Sequence, residues 1–419
     1  MNELQTLLDE IIDQRVTLDV VLRQAIRSKF AANGLALEDG ELAEILNDVH
    51  NHDSSNTENS EDMDNVYLRI DHENHEIEIT EQDVDAAMEV LTADLEDEYS
   101  RFIEQASGET LKRIRRDARR TLKANRRTRA RFEARLQKRW KTAIDLLELF
   151  ISLSLEGGSE FNEQYKNAAA EEKDVLFDVL RNLHARACQV AWEVLALIKA
   201  GFADGAHSRW RTLHEIAIVA MFIAHHGREL AQRYLDHEFV EAHKAAIEHQ
   251  RCSEAMRYEP LSDEEFERIE TNYQEVIASY GENFRHDYGW ASEALSKKKP
   301  TFREIELAVG LDKWRPYYKM ASHNVHADTK GITFRLGLLS NKPPLLLAGA
   351  SNTGFTDPAH STAISLLQVT TTMLVTRPNA DASVLCQILQ ILQEEVGNEF
   401  LTIQRSIEAA VKRSKRGNL

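Results

Sequence analysis

The chain has 419 residues, 42% of them apolar and only 7% aromatic, with 7 Pro and 17 Gly. That much apolar residue can fill two or three domain cores and excludes a disordered chain, while the scarcity of turn formers excludes an all-β one. The net charge of −18 conceals a segregation: residues 1–109 hold 29 Asp and Glu against 6 Lys and Arg, whereas residues 110–141 hold 15 Lys and Arg, 11 of them Arg, against Asp117 and Glu133. Met1 is followed by an acidic amphipathic stretch with neither a basic n-region nor an apolar h-region, and no apolar run approaches the ~18 residues that span a bilayer. These features predict a soluble, cytoplasmic protein with no membrane partner. Cys188, Cys252 and Cys386 are far apart and odd in number, which excludes a disulfide framework and a zinc knuckle.

Leu4, Leu7, Leu8, Ile11 and Ile12 open a stripe of helical period that continues through Leu18, Val21, Leu22 and Ile26 and predicts a first helix ending near Asn33 and Gly34. A second helix is expected over Glu41 to Val49, followed by an exposed polar loop from Asn47 to Asn65. The period then changes to two: Val66, Leu68 and Ile70, a turn over Asp71 to His75, and Ile77 and Ile79 predict a β-hairpin. Thr80 and Asp83 resemble a capping box that starts a helix reaching Gln105, with Ser107 and Gly108 breaking it. From Glu109 to Leu155 there is neither Gly nor Pro, and a helix of ~45 residues there would be ~70 Å long. Its apolar stripe fails from Lys123 to Arg131, so that this stretch must meet water or a ligand. Gly157 and Gly158 are expected to end it.

Further helices are predicted at Ala168 to Ala200, Ala206 to His226, Glu229 to Arg251, Asp263 to Tyr280 with Ser262 as cap, Pro316 to Asp328, Asp357 to Thr376 and Ala382 to Lys412. Short connections between them imply an antiparallel helical bundle. Gly331 to Gly354, with Pro343 and Pro344, is the one long irregular segment. The expected architecture is mainly α: a small acidic N-terminal α domain with a hairpin (1–108), a long basic connecting helix (109–156) and a C-terminal bundle (159–415).

Three constellations could carry chemistry. Arg115, Arg116, Arg119, Arg120, Arg126, Arg127, Arg129 and Arg131 cover about two thirds of the circumference of the basic helix, and guanidinium groups suit phosphate, so RNA or DNA is the expected partner. The competing expectation is that this helix pairs with an acidic surface, in the same chain or in a homodimer. Arg211 and Glu215 lie one turn apart on a helix apolar all round, where an ion pair either locks register or forms the wall of a site. Ser322 and His326 share a helix face, with His323 beside them and Tyr317 and Tyr318 one turn earlier; an imidazole hydrogen-bonded to a hydroxyl is a candidate general acid or base.

No metal or cofactor is expected. The Glu-x-x-His pattern of di-iron bundles is missing, and His50, His52, His72 and His75 lie in the polar region around the hairpin. Arg209 with His214 and Arg69 with His75 match the Arg and His spacing of the RNA-cleaving helical domains known as HEPN. Chance alone yields more such pairs, and five residues on a regular helix place two side chains ~140° apart.

The segment from Gly205 to Tyr234 and the segment from Tyr317 to Gly331 resemble an uncharacterised bacterial helical family, the domain-of-unknown-function family numbered fifty-six seventy-seven. The resemblance rests on a small-residue turn before Arg211-x-x-x-Glu215, the pair Arg233 and Tyr234, and Ser322-x-x-x-His326, and it covers roughly residues 170–375. It implies an all-α fold, supplies no reaction, and suggests that Arg211, Glu215, Ser322 and His326 meet in space. The functional expectation is a nucleic-acid-engaging protein; whether it is an enzyme is left open by the sequence, and any catalysis is expected to be metal-independent phosphodiester cleavage with His326 or His323 as proton carrier and Arg211 near phosphate. The alternative is a non-enzymatic dimeric scaffold. Walker, dinucleotide-binding and nucleophile-elbow motifs are not found.

Overall fold

The computed structural model describes residues 6, 12, 17–52, 66–72, 75–326, 328–339 and 346–416. It is mainly helical, with one two-stranded sheet among the described residues. The chain forms two compact units, residues 1–126 and 127–419, and the division falls within one continuous helix.

In the N-terminal unit, α1 (Leu18–Ala32) begins where the Thr17 hydroxyl accepts the Val20 amide at 3.3 Å. Thr17 has extended backbone, so the single predicted stripe is cut there. Apart from residues 6 and 12, which are helical, the part before Thr17 lies outside the described residues. Next come α2 (Asp39–His52), β1 (Val66–His72) and β2 (His75–Thr80). The strands pair antiparallel with Ile70 opposite Ile77 and Leu68 opposite Ile79, as the alternation predicts. Residues 53–65 of the polar loop lie outside the described residues, and Asn47 to His52 are helical. Val21, Ile26 and Phe30 of α1, Leu42 and Leu46 of α2, Ile70, Ile77 and Ile79 of the hairpin, and Ala87 form the core.

The long helix α3 (Glu81–Arg139) starts at the predicted cap, where the Thr80 amide donates to the Asp83 carboxylate at 2.8 Å. It runs through Ser107 and Gly108 without a break. One glycine costs a helix about 1 kcal/mol, too little to end a segment whose flanks are rich in Arg, Glu, Leu and Ala. The interruption lies instead at Trp140, buried against Phe355 and Phe400 with its indole N–H on the Asn352 carbonyl at 3.0 Å.

The C-terminal unit continues with α4 (Lys141–Glu172), α5 (Val175–Ala200) and α6 (Ala203–His226). Gly157 and Gly158, expected to end the basic helix, are buried in the middle of α4. A Cβ on Gly158 would sit 2.2 Å from the His184 ring, so this glycine provides close packing rather than a boundary. The predicted helix from Ala168 to Ala200 is divided at Lys173, whose backbone is left-handed, and restarts where Asp174 caps Phe177 at 3.1 Å. Gly201 makes the tight turn to α6 at φ +90°, where a side chain would be strained and would meet the Ser351 carbonyl.

Then follow α7 (Arg228–Asp236) and α8 (Glu238–Met256), separated at His237 where one helix was expected, and α9 (Asp263–Tyr280), whose Ser262 and Glu265 form a full capping box. Short α10 (Phe302–Ala308) precedes α11 (Arg315–His323), which ends five residues before the expected Asp328. The irregular segment carries α12 (Thr329–Thr333), and its Pro343 and Pro344 lie outside the described residues. The last helices are α13 (Thr356–Leu374) and α14 (Ala380–Arg416). One core, containing Trp140, Phe150, Trp210, Phe355 and Phe400, is enclosed by α4, α5, α6, α13 and α14. A second, around Phe222, Phe284, Trp290, Phe302 and Tyr318, lies between α6 and the segments from α7 to α11. Among the described residues no helix is long and apolar enough to cross a membrane.

Candidate nucleic-acid interface and an interior polar cluster

The basic stretch of α3 is exposed, with the Arg129 guanidinium lying 5.8 Å from the Phe202 ring. From Leu111 to Arg131 every residue is exposed except the half-buried Asp117 and Ala118, and all eight arginines singled out in the sequence are exposed. Their ion pairs stay within the helix: Arg120 reaches Asp117 at 3.5 Å, Arg116 lies 3.9 Å from the same carboxylate, and Arg129 bonds Glu133 at 2.8 Å. Arg115, Arg119, Arg126, Arg127 and Arg131 have no ion pair among the described residues. Such contacts between exposed charges contribute little, so the positive field of the segment is largely uncompensated.

The C-terminal unit treats its charges differently. On α6, Arg211 bonds Glu215 at 3.0 Å, as the one-turn spacing predicts, and both meet Tyr318 of α11. The Arg211 guanidinium donates to the Tyr318 oxygen at 2.9 Å, and the Tyr318 hydroxyl donates to Glu215 Oε1 at 2.6 Å. Arg211 and Arg315 both lie over the Tyr318 ring, at 4.9 and 5.3 Å from its centroid, and Phe302 stacks on it at 5.3 Å. Burial first, then the bond to Glu215, pushes the Tyr318 phenol well up, so it remains a donor. Tyr288 is raised too, by burial and then by the Glu215 carboxylate.

Behind this triangle lies a drier layer. Glu306 of α10 is fully buried and bonds Arg315 at 2.7 Å, while its other oxygen is 3.5 Å from His214 Nε2. Burial raises the Glu306 carboxyl against the pull of Arg315, and burial followed by the Arg315 charge lowers His214 to about 4. His207, one turn before Arg211, stacks on Trp210 at 5.2 Å; neither of its nitrogens has a hydrogen-bond partner among the described residues, and burial lowers it to about 4. His214, Glu215, Glu306, Tyr318 and the two guanidinium groups of Arg211 and Arg315 tie α6, α10 and α11 together.

The structure does not assemble the second predicted cluster as expected. α11 ends at His323, although the His326 amide still donates to the Ser322 carbonyl at 3.1 Å. The Ser322 hydroxyl turns back to the Tyr318 carbonyl at 2.8 Å, and His326 stands exposed beyond the helix end. Arg211 and Glu215 therefore meet Tyr318 rather than Ser322 or His326. His323 instead bonds Asp328 through Nδ1 at 2.5 Å, and the other Asp328 oxygen caps α12 by accepting the Gly331 amide at 2.7 Å. The bond from His323, then that amide, holds the Asp328 carboxyl below its usual range.

Residues 177–343 match the model of a family of unknown function (DUF5677). This is the family that the Arg211, Glu215, Ser322 and His326 motifs resemble. The match takes in α6, α10 and α11 with the whole interior polar cluster, and leaves out the acidic unit and the arginines of α3. Neither a curated protein nor a solved structure matches the chain.

Several cluster members escaped the sequence reading. Glu306, Arg315, Tyr288 and Asp328 come from separate short segments with no periodic signal, whereas Tyr318 stands one turn before Ser322 in the sequence. Arg209, as its spacing from His214 suggests, points elsewhere: it pairs with Glu193 and bonds Thr212 at 3.2 Å, while His214 faces Glu306. The His50, His52, His72 and His75 side chains lie outside the described residues. Among the described residues no three His, Cys, Asp or Glu side chains gather as a metal site would require.

Proposed function

We propose that this protein engages RNA or DNA through the arginines of α3, which contact the phosphate backbone. The observation that carries the reading is the run of exposed guanidinium groups from Arg115 to Arg131, most of them without a carboxylate partner. A guanidinium presents paired donors that fit phosphate oxygens, and each contact releases condensed counterions, so binding through such a surface weakens steeply with salt. Anisotropy titrations of RNA and duplex DNA across a salt series test it. Wild type should show a steep loss of affinity with salt, and the variant with Arg126, Arg127, Arg129 and Arg131 changed to Glu should bind at least tenfold more weakly. No binding by wild type at low salt would sink the proposal.

The same reading places any phosphodiester cleavage on His323, because Asp328 orients its imidazole as a carboxylate orients a general acid or base. Incubating labelled RNA with wild type and His323→Ala tests this part separately. Equal product from both would remove His323 from the mechanism without touching the binding proposal.

A further inference from the structure

The acidic and basic blocks of the N-terminal unit follow one another on one continuous helix. From Glu81 to Glu109, α3 carries ten carboxylates and one arginine; from Thr110 to Arg126 it carries eight Lys and Arg and one aspartate. A continuous helix cannot fold one half onto the other, so the two blocks cannot neutralise each other within it. One edge of this helix is also unexpectedly apolar. Tyr99, Ile103, Leu111, Ile114 and Leu122 are each 44–59% exposed. At 100° per residue they fall within about 140° of arc and run across the junction between the blocks. Gly108 lies near that junction, and a Cβ there would meet nothing within 4 Å among the described residues.

We propose that two copies of the protein pair along this edge with their α3 helices antiparallel, the acidic half of each against the basic half of the other. Parallel pairing would set like charges against like, whereas antiparallel pairing about an axis near Gly108 sets opposite charges together at both ends and buries the apolar edge between them. Glu89 and Glu96 lie on this edge and Glu104 beside it, with Arg115, Arg119 and Arg126 along its flank. Arg116, Arg120 and Arg127 project from the opposite side and stay open to phosphate. The pairing is thus independent of the nucleic-acid reading and compatible with it.

Light scattering on the full chain, without nucleic acid, tests the pairing. Wild type should have a two-chain mass at low salt that falls toward one chain at high salt. Changing Leu111, Ile114 and Leu122 to Glu should give a single chain with unchanged helical circular dichroism. Two charge-reversed variants, Glu89, Glu96 and Glu104 to Lys, and Arg115, Arg119 and Arg126 to Glu, should each be single chains alone and recover the two-chain mass when mixed. A single-chain wild type at low salt, or a triple leucine and isoleucine variant that remains paired, would overturn the proposal. So would an acidic-block variant that self-associates like wild type, because that result belongs to parallel pairing. A protein that pairs as described yet ignores nucleic acid would sink only the earlier proposal.

Discussion

Arg127 on the basic stretch of α3 and Arg233 in the interior are the same residue in opposite circumstances. Arg127 is exposed with no described ion pair, whereas Arg233 is buried, bonds Glu293 at 2.9 Å and lies 4.6 Å from the Tyr280 ring. Arg315 and Arg377 follow the second pattern, each with carboxylates and an aromatic face. A partnered arginine gives its charge to the fold, and an unpartnered one keeps it for another molecule. The difference predicts which substitutions change stability and which change only binding.

The largest expected effect is at Arg315. Arg315→Ala leaves the Glu306 carboxylate fully buried without its cation, at a cost of about 3 kcal/mol, or roughly 6–12 °C in melting temperature. Replacing the pair together, Glu306→Leu with Arg315→Met, should recover most of that loss. Thermal denaturation of the three proteins checks both statements, and a melting temperature for Arg315→Ala within 1–2 °C of wild type, on the order of 0.5 kcal/mol, would contradict the first. Gly158→Ala comes next: its Cβ meets an imidazole held by Thr370 at 3.1 Å, and such overpacking should cost about 2 kcal/mol in urea unfolding.

Gly158 also shows where sequence reading stops. Gly201, Ser262, Thr80 and the hairpin were legible because their signals are local: a left-handed turn, two caps and an alternation of period two. The pair Gly157 and Gly158 carries the same local signal as a helix end, but its reason for being glycine is a histidine on α5 and a leucine on α14. The polar cluster divides in the same way. Arg211 and Glu215 are four residues apart and were legible; Tyr318 and Glu306 join them from about a hundred residues away, where spacing carries no information. The end of α11 at His323 was not legible, and the Ser322 hydroxyl turns back to the Tyr318 carbonyl rather than toward His326.

Acid should expose the buried imidazoles. His184, His207 and His214 are each lowered to about 4 by burial, so between about pH 6.5 and 4 the unfolded chain binds more protons than the folded one. Stability contributed by the neutral rings is therefore complete above pH 6.5 and is lost as the pH falls toward 4, by about 2 kcal/mol per ring at pH 5. His207→Phe removes one titration together with two unpartnered nitrogens. Its urea midpoint should match or exceed that of wild type at pH 7, and the gap should widen in favour of the variant at pH 5. A constant gap would mean that His207 is not buried as a neutral ring.

The smallest expected change in stability is at Arg127. Arg127→Ala removes an exposed side chain without a described ion pair and should move the unfolding free energy by less than about 0.5 kcal/mol. Under the proposed function, the same substitution should lower the salt dependence of nucleic-acid affinity by about one unit of slope, weakening RNA and DNA of any sequence alike. Arg315→Ala should do the reverse, lowering stability while leaving the salt slope of the folded protein unchanged. If Arg127→Ala instead destabilised the fold as Arg315→Ala does, the basic helix would be a partner of its own chain, and the division of labour between the two sets of arginines would fail.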